Sequence, residues 1–585
     1  MRKQSKRIQI GRNSQSGFFI ELGIFIILYS LISYAQIFAA DAPPGQEPGA
    51  QAERYKYDVD KEKQRLEHKT PKAADIKIEG EKAMPAEAGV AFELKEIKVT
   101  GSTVFKQQDF RPIYEPYLGK KVTFSDLDAI SKKIESKYKE KGYFTTSVYI
   151  PEQDIKDGVI EIRVVEGKMG KIKIEGNKWS SSIFIKKFFH VEEDEILNIK
   201  TLARDILRLN KNPDLEVKAV VSQGKEPQTS DIALKTEDKL PWHTGFLEDN
   251  RGSRLTGKYR SMFSIRSSNV SGLGDTVFFN TLYSGNSSAE SVSYSIPIGT
   301  YGTRFGVDIT YFKMKLGKEF KPFDITGNTQ IYTPHFSWEL ALREDFQAYA
   351  DLGLNIKSIK KEQDSDPTAK DQLRIPYFGF NFVKTDHQGQ TSFSPRFNFG
   401  TSGFLGAFSR NHTLSSREGT GGSFFKYEQS LNRIQRMFLG SYMSMRTQLQ
   451  IVSRTLASSE QFQLGGADSV RGYPEGDYLA DTAGCVNFDW FFPLYIIPET
   501  WKLAGQEMPL RRQIEPVLFV DLGGGKLKRT LSGERDDKFL AGVGAGVRLN
   551  FKLFYLRLDW AKGVGDKQTS GSGPSTFYFT FQSEI

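Results

Sequence analysis

The chain has one cysteine in 585 residues, Cys485, which rules out an intrachain disulfide and any multi-cysteine metal site. Cys485 falls in a predicted strand and reads as packed, not reactive. Six scattered histidines point to no metal centre. After residue 12 no basic block stands out despite a net charge of +9, so nucleic acid is a poor fit as partner. There is no G-x-S-x-G, no H-E-x-x-H and no P-loop, hence no catalytic residue and no cofactor to nominate. Gly542, Gly544 and Gly546 alternate with Val543, Ala545 and Val547, which describes one bare strand face, not a phosphate loop. Beyond the N-terminus no apolar run is long enough to cross a bilayer as a helix.

Present in quantity are 53 glycines, 44 phenylalanines and 24 tyrosines, within a hydrophobic fraction of only 38%. Many aromatics at modest hydropathy is the mixture expected of strands with one apolar and one polar face. The length asks for two or more domains. At the N-terminus Arg2, Lys3, Lys6, Arg7 and Arg12 precede an apolar run from Leu22 to Ile32. Small residues follow at Ser33, Ala35, Ala39, Ala40 and Ala42. This is the pattern of an export signal over residues 1–40, cut near Ala35 or Ala40.

Residues 41–90 are polar, with Pro43, Pro44, Pro48 and Pro71 as breakers. Within them Glu53 to Lys69 suits a charged helix without a broad apolar face. The stretch reads as a solvated linker which, if ordered, would suit a polar lumen better than a hydrophobic core.

From Phe92 the texture changes. Phe92 to Val99 alternates as a strand, and Ser125 with Asp128 resembles a capping box ahead of Leu127, Ile130, Ile134 and Tyr138 at helical spacing. Gly142 is placed to stop that helix, and strands are expected at Tyr143–Ile150 and Val159–Val165. The plan repeats at once: a strand at Lys171–Ile174, helices at Ser180–Phe189 and around Leu202, Ile206 and Leu209, then strands from Leu215 and Asp231. Two small α+β modules, 91–167 and 168–240, are therefore expected.

From Trp242 onward helical signals vanish. Val292, Tyr294, Ile296 and Ile298 interleave with serines; Phe305, Val307, Ile309 and Tyr311 with polar residues or glycine; Met437, Leu439, Met443 and Met445 with Tyr442, Ser444 and Arg446; Phe577, Phe579 and Phe581 with Tyr578, Thr580 and Gln582. Alternation alone does not separate a soluble sandwich from a membrane barrel. Roughly 16 strands over residues 241–585, behind an export signal, favour one closed antiparallel barrel without exposed edges.

One loop, 463–478, stands apart. It places Val470, Arg471, Gly472 and Tyr473 among glycines and acids, a combination that a plain surface turn rarely needs. Downstream, Phe519-Val520-Asp521-Leu522-Gly523 alternates so that Phe519 and Asp521 face away from the apolar side, toward a lumen.

An exported chain with two such modules and a barrel resembles the two-partner-secretion transporters, the haemolysin and filamentous haemagglutinin secretion family of the BamA-like superfamily. The likeness is carried by Lys141-Gly142-Tyr143, Val165-Glu166-Gly167, Asp249-Asn250-Arg251-Gly252, Tyr294 to Ile298, and above all Val470-Arg471-Gly472-Tyr473. The resemblance implies that the modules are periplasmic POTRA domains and that the barrel sits in a Gram-negative outer membrane. It implies that the loop folds into the lumen, where Arg471 pairs with Asp521 of the Phe519–Gly523 motif. It also implies partners: an unfolded exoprotein of adhesin or haemolysin type, outer-membrane lipid, and the assembly machinery that inserts the barrel. The polar 41–90 stretch stands where that family has a plug helix. Two other readings fit parts of the chain: a factor that assembles other barrels, which usually carries more such modules, and a passive porin or receptor. The chain ends Phe581-Gln-Ser-Glu-Ile585 where an aromatic is usual, so Phe581 is the nearest substitute.

Overall fold

The computed structural model describes residues 44–67, 73–78, 91–155, 157–503, 506–530, 534–569 and 575–584. The expected export signal lies outside them.

In the first module, helices Gln107–Tyr114 and Phe124–Lys141 cover a sheet ordered Glu96–Thr100, Val159–Val165, Ser147–Tyr149. Leu127, Ile130, Ile134 and Tyr138 form the buried stripe of the longer helix and pack on Ile97, Ile160 and Ile162. Gly142, in the left-handed region at φ 102°, stops that helix. Its capping box is Thr123 with Asp126, not Ser125 with Asp128. Both pairs fit the motif, but Thr123 directly follows the strand Lys121–Val122, paired to Phe92–Glu93, and so already has the extended backbone a cap requires. The strand expected over Tyr143–Ile150 shrinks to Ser147–Tyr149, because the Tyr143 N–H is used on the Tyr138 carbonyl in closing the helix.

At the junction between modules, the Glu166 carboxylate accepts from the Thr103 N–H at 2.9 Å, the Val104 N–H at 3.0 Å and the Tyr138 hydroxyl at 2.8 Å. Burial works to raise this carboxyl; the hydrogen bonds, led by that of the Thr103 hydroxyl, outweigh it and hold it below the usual range.

The second module has the same plan. Helices Ser182–Lys187 and Ile199–Leu209 lie on strands Lys168–Glu175, Thr229–Asp238 and Leu215–Gln223, and a fourth strand, Ile76–Ile78, pairs alongside Leu215–Gln223. The module rests on the barrel through Arg208 and Lys211, which pair with Glu339 of the barrel wall at 2.9 and 2.7 Å, and through Asp214 with His243 at 2.8 Å.

Sixteen antiparallel strands, from Trp242–Asp249 to Ser575–Glu584, close into a barrel by pairing the last with the first, Gly245 opposite Glu584 through Asp249 opposite Thr580. Sidedness follows the sequence alternation: Leu518 and Phe577 are 54% and 52% exposed on the outside, whereas Phe519, Asp521 and Tyr578 are 3%, 0% and 3% exposed on the inside. Apolar residues outward and polar residues inward is the arrangement of a barrel in lipid. Phe581 faces out and stacks on Phe554 at 5.8 Å. Met437 and Leu439 are not strand residues: the strand ends at Arg436, and Phe438–Gly440 is a tight turn with Leu439 at φ 54°.

The 41–90 stretch is not a solvated linker where it is described. Pro48–Glu67 is a 20-residue helix inside the barrel, with Pro48 at its first turn, where a missing N–H costs nothing. Its narrow stripe of Ala52, Tyr55 and Val59 packs on Met262, Phe278, Leu282 and Phe312 of the inner wall. That wall patch, unforeseen in a polar lumen, is what a helix without a broad apolar face needs in order to dock.

Candidate functional site inside the barrel

Among the described residues two elements occupy the lumen: the helix Pro48–Glu67, and the loop between strands Tyr442–Val452 and Thr482–Phe491. The loop folds inward as a short hairpin, Phe462–Leu464 paired with Tyr478–Ala480, and its tip carries the motif.

Arg471 is 1% exposed and Asp521 0%. The guanidinium grips the carboxylate with two parallel bonds, Nε to Oδ2 at 2.6 Å and Nη2 to Oδ1 at 2.7 Å, and the Arg471 N–H donates to Oδ2 at 3.0 Å. Nη1 lies 2.7 Å from Asp489 and 3.7 Å from Asp559. The guanidinium carbon sits 3.5 Å above the Phe519 ring centre, and Asn487 donates to the second Asp521 oxygen at 2.7 Å. A planar, five-donor cation stacked on an aromatic and paired bidentately is a geometry that lysine cannot reproduce.

The remaining motif residues fix the loop by shape. Gly472 is at φ 94°, and a Cβ there would lie 2.5 Å from the Gly563 nitrogen. Its N–H donates to the Tyr578 hydroxyl, which in turn donates to the Tyr473 carbonyl at 2.8 Å. The Tyr473 hydroxyl accepts from the Gly565 N–H at 3.0 Å. Val470 is fully buried, and a Cβ on Gly523 would come within 2.8 Å of its Cγ2. The bare glycine face read from sequence is the seat of the pair: a Cβ on Gly542 would meet the Arg471 carbonyl oxygen at 2.0 Å, and one on Gly544 the Phe519 ring at 2.4 Å. Val470, Arg471, Gly472, Tyr473, Phe519, Asp521 and Gly523 thus converge on one wall, while Val520 and Leu522 of the second motif face outward.

Sequence reading missed Asp489, Asp559, Asn487 and Tyr578. A parity signal was available, since Asp489 lies between Phe488 and Trp490, and Asp559 between Leu558 and Trp560, each an acid alternating with outward apolar residues. The contacts of the helix had no such signal. Asp58 pairs with Arg251 at 3.2 Å and Arg260 at 2.8 Å; Lys61 pairs with Asp468 of the loop at 2.6 Å, Lys63 with Asp308 at 3.0 Å, and Glu53 with Lys357 at 2.7 Å. The wall cations keep second partners: Arg251 has Asp468, Arg260 has Asp249, and Lys357 has Glu460.

Family comparison fits this architecture. The model of the haemolysin secretion/activation proteins ShlB/FhaC/HecB matches residues 228–549, more than half the chain, and the ShlB-type POTRA model matches 92–167. The chain belongs to the ShlB/FhaC/HecB family.

Among its relatives are the heme/hemopexin transporter protein HuxB of Haemophilus influenzae, 23% identical over 79% of this chain and 82% of that one, and the outer membrane transporter CdiB of Dickeya dadantii, 25% identical over 77% and 81%. The solved structure of CdiB from Escherichia coli superposes with a TM-score of 0.71 at 19% identity, covering 94% of this chain and all of that one. BamA from Haemophilus ducreyi, lacking POTRA domains 1–3, gives 0.53 at 13% identity over 84% of this chain and all of that one. The chain is thus an outer-membrane secretion transporter with its POTRA modules in the periplasm. Its family is one of transporters, not enzymes.

Proposed function

We propose that the chain exports an unfolded passenger through a lumen that one filler leaves and the other does not. The passenger meets the periplasmic POTRA modules, the helix Pro48–Glu67 withdraws, and the passenger threads past the pinned loop 463–478 and folds outside. Folding on the far side opposes back-sliding, so no nucleotide is needed. Arg471 and Asp521 act as the pin, holding the tip against the wall while the path opens beside it.

The observation that carries this reading is the asymmetry of attachment. The loop tip is tied through its backbone and through a fully buried bidentate pair. A helix satisfies its own backbone, so this one reaches the wall through side chains, against cations that retain other acids. Its departure leaves few stranded charges. The passenger in this reading is of haemolysin or adhesin type, supported by the match to haemolysin secretion proteins, and outer-membrane lipid and barrel-assembly machinery are the partners of insertion.

Deletion of the gene tests the reading. The expected result is the loss of one large exoprotein from the medium and its retention in the periplasm. General failure of outer-membrane barrels would favour an assembly role instead, and an unchanged set of secreted proteins would refute export.

A further inference from the structure

Phe-Leu-Gly forms a tight turn twice in this chain, at Phe404–Gly406 and at Phe438–Gly440. In both turns the leucine takes the left-handed backbone, Leu405 at φ 46° and Leu439 at φ 54°, a region that bulky residues avoid. Both turns display their apolar pair: Phe404 and Leu405 are exposed, and so are Phe438 and Leu439. They lie on opposite sides of the membrane. The first barrel strand leaves the periplasmic modules and the strands alternate in direction, so 401–423, after the ninth strand, is at the cell surface. The turn after the tenth strand, 437–441, is periplasmic.

The two turns differ in what holds the leucine carbonyl. That of Leu439 accepts from the Tyr495 hydroxyl at 2.9 Å, whereas that of Leu405 accepts from Nε of Arg374 at 3.0 Å. Nη1 of Arg374 donates to the Lys357 and Leu373 carbonyls at 3.0 and 2.9 Å, and Nη2 to the Gln372 side-chain oxygen at 3.3 Å. All these partners are neutral, and among the described residues no carboxylate lies within ion-pair distance of the guanidinium. One N–H of Nη2 and the whole charge are left over.

Arg374 faces lipid. Leu373 and Ile375 on either side of it are buried toward the lumen, and the outward row of the strand Asp366–Asp386 reads Lys384, Phe382, Phe380, Phe378, Pro376, Arg374. Lys384 to Arg374 is ten residues, about 26 Å at ~3.4 Å per residue and a tilt of ~40°, against an apolar band of about 25 Å. Arg374 thus stands at the outer rim of the bilayer, where a charge costs little. Beneath it Phe378 stacks on Phe397 and Phe399 at 4.7 and 6.1 Å. Further out on the same face stand the register partners Lys370 and Lys360, the latter paired with Glu362.

A cation above a wall of rings, beside two exposed apolar side chains, suits a lipid that carries phosphate on an acylated sugar. We propose that Arg374 with Phe404 and Leu405 binds the phosphorylated glycolipid of the outer leaflet. A lipid A phosphate sits on the guanidinium, and its acyl chains run along Leu405, Phe404 and the Phe378–Phe399 stack. The periplasmic turn, with a tyrosine where the outer one has the arginine, is the counterpart on the phospholipid side.

The test counts lipid bound to the intact, detergent-solubilised chain by native mass spectrometry, with lipid A, lipid A stripped of its phosphates, and phosphatidylglycerol as probes. The wild type is expected to bind lipid A at least about tenfold more tightly than either other probe. Arg374→Gln should erase that preference, and Phe404→Ser with Leu405→Ser should weaken lipid A binding severalfold, while Phe438→Ser with Leu439→Ser leaves it unchanged. Equal affinity of wild type and Arg374→Gln for lipid A, or equal binding of all three probes by the wild type, would overturn the proposal. Should Arg374→Gln fail to fold, judged by its heat-shifted gel band, a photo-crosslinking residue in place of Leu405 decides in cells. An adduct with lipopolysaccharide is expected there, and none from the same residue in place of Leu439; no adduct at Leu405, or equal adducts at both, would overturn the site. Export is read in neither assay, so the outcome is independent of the passenger.

Discussion

Tyr473 of the loop and Tyr55 of the lumen helix are 1% and 2% exposed, yet they are buried in different ways. Tyr473 lies in irregular backbone whose groups are completed by the wall, by Tyr578 above all. Tyr55 lies in a helix complete in itself and makes a side-chain contact, its hydroxyl donating to Asn280 at 3.0 Å. Taking the loop away would strand buried polar groups on both sides; taking the helix away uncovers a small apolar patch and cations that keep their partners. Burial alone does not distinguish a fixture from a plug. What distinguishes them is where the backbone finds its hydrogen bonds, and what each departure leaves unpaired.

The strongest way to break this contrast is Arg471→Ala. It takes from Asp521 and Asp489 the cation they share, and the loss of one partner of a buried pair costs about 3–5 kcal/mol. Export should fall at least about tenfold while the barrel still inserts, and the temperature at which the folded band unfolds on a gel should drop. Arg471→Lys should recover only part of this, because the second bond and the stacking on Phe519 are lost.

A smaller effect is expected from Gly472→Ala, whose new methyl would meet the backbone of Gly563 and must displace the tip. Loop amides should lose hydrogen-exchange protection while the helix is unaffected.

Asp58→Ala reverses the contrast by loosening the plug alone. Arg251 and Arg260 retain Asp468 and Asp249, so barrel melting should change little, while channel openings in a planar bilayer become severalfold more frequent.

The smallest effect lies outside the lumen. Glu166 is held below its usual range, so its contribution to the first module is complete above the unfolded value near 4.5 and is lost as pH falls through the folded value. Glu166→Gln should weaken the first module at neutral pH and flatten its acid sensitivity below about pH 4.5, read by hydrogen exchange over 91–167.

Much of this was legible in the sequence. The strand parity placed Asp521 in the lumen, because facing rests on local alternation; its pairing with Arg471 was implied only by the family resemblance that the Val470–Tyr473 motif carries. The glycines 542, 544 and 546 were read as a bare face, but their purpose depended on which residue sits across the lumen, and that is a long-range fact. Asp489 and Asp559 obeyed the same parity as Asp521 and were overlooked only for want of a motif. Pro48–Glu67 looked like linker because its stabilisation is not its own: the narrow Ala52-Tyr55-Val59 stripe has meaning only against the patch around Phe278 and Phe312. Ile76–Ile78 was invisible for the same reason, since three residues become a strand only beside an open edge.

The central claim is most directly tested by hydrogen exchange on the intact chain in lipid nanodiscs, comparing the amides of 463–478, of Pro48–Glu67 and of the wall strand Ile514–Lys526. The account predicts that Arg471 and Gly472 exchange as slowly as the wall strand, while the helix exchanges at least about tenfold faster through transient withdrawal. A helix as protected as the wall, or a loop that exchanges before the helix, would contradict it.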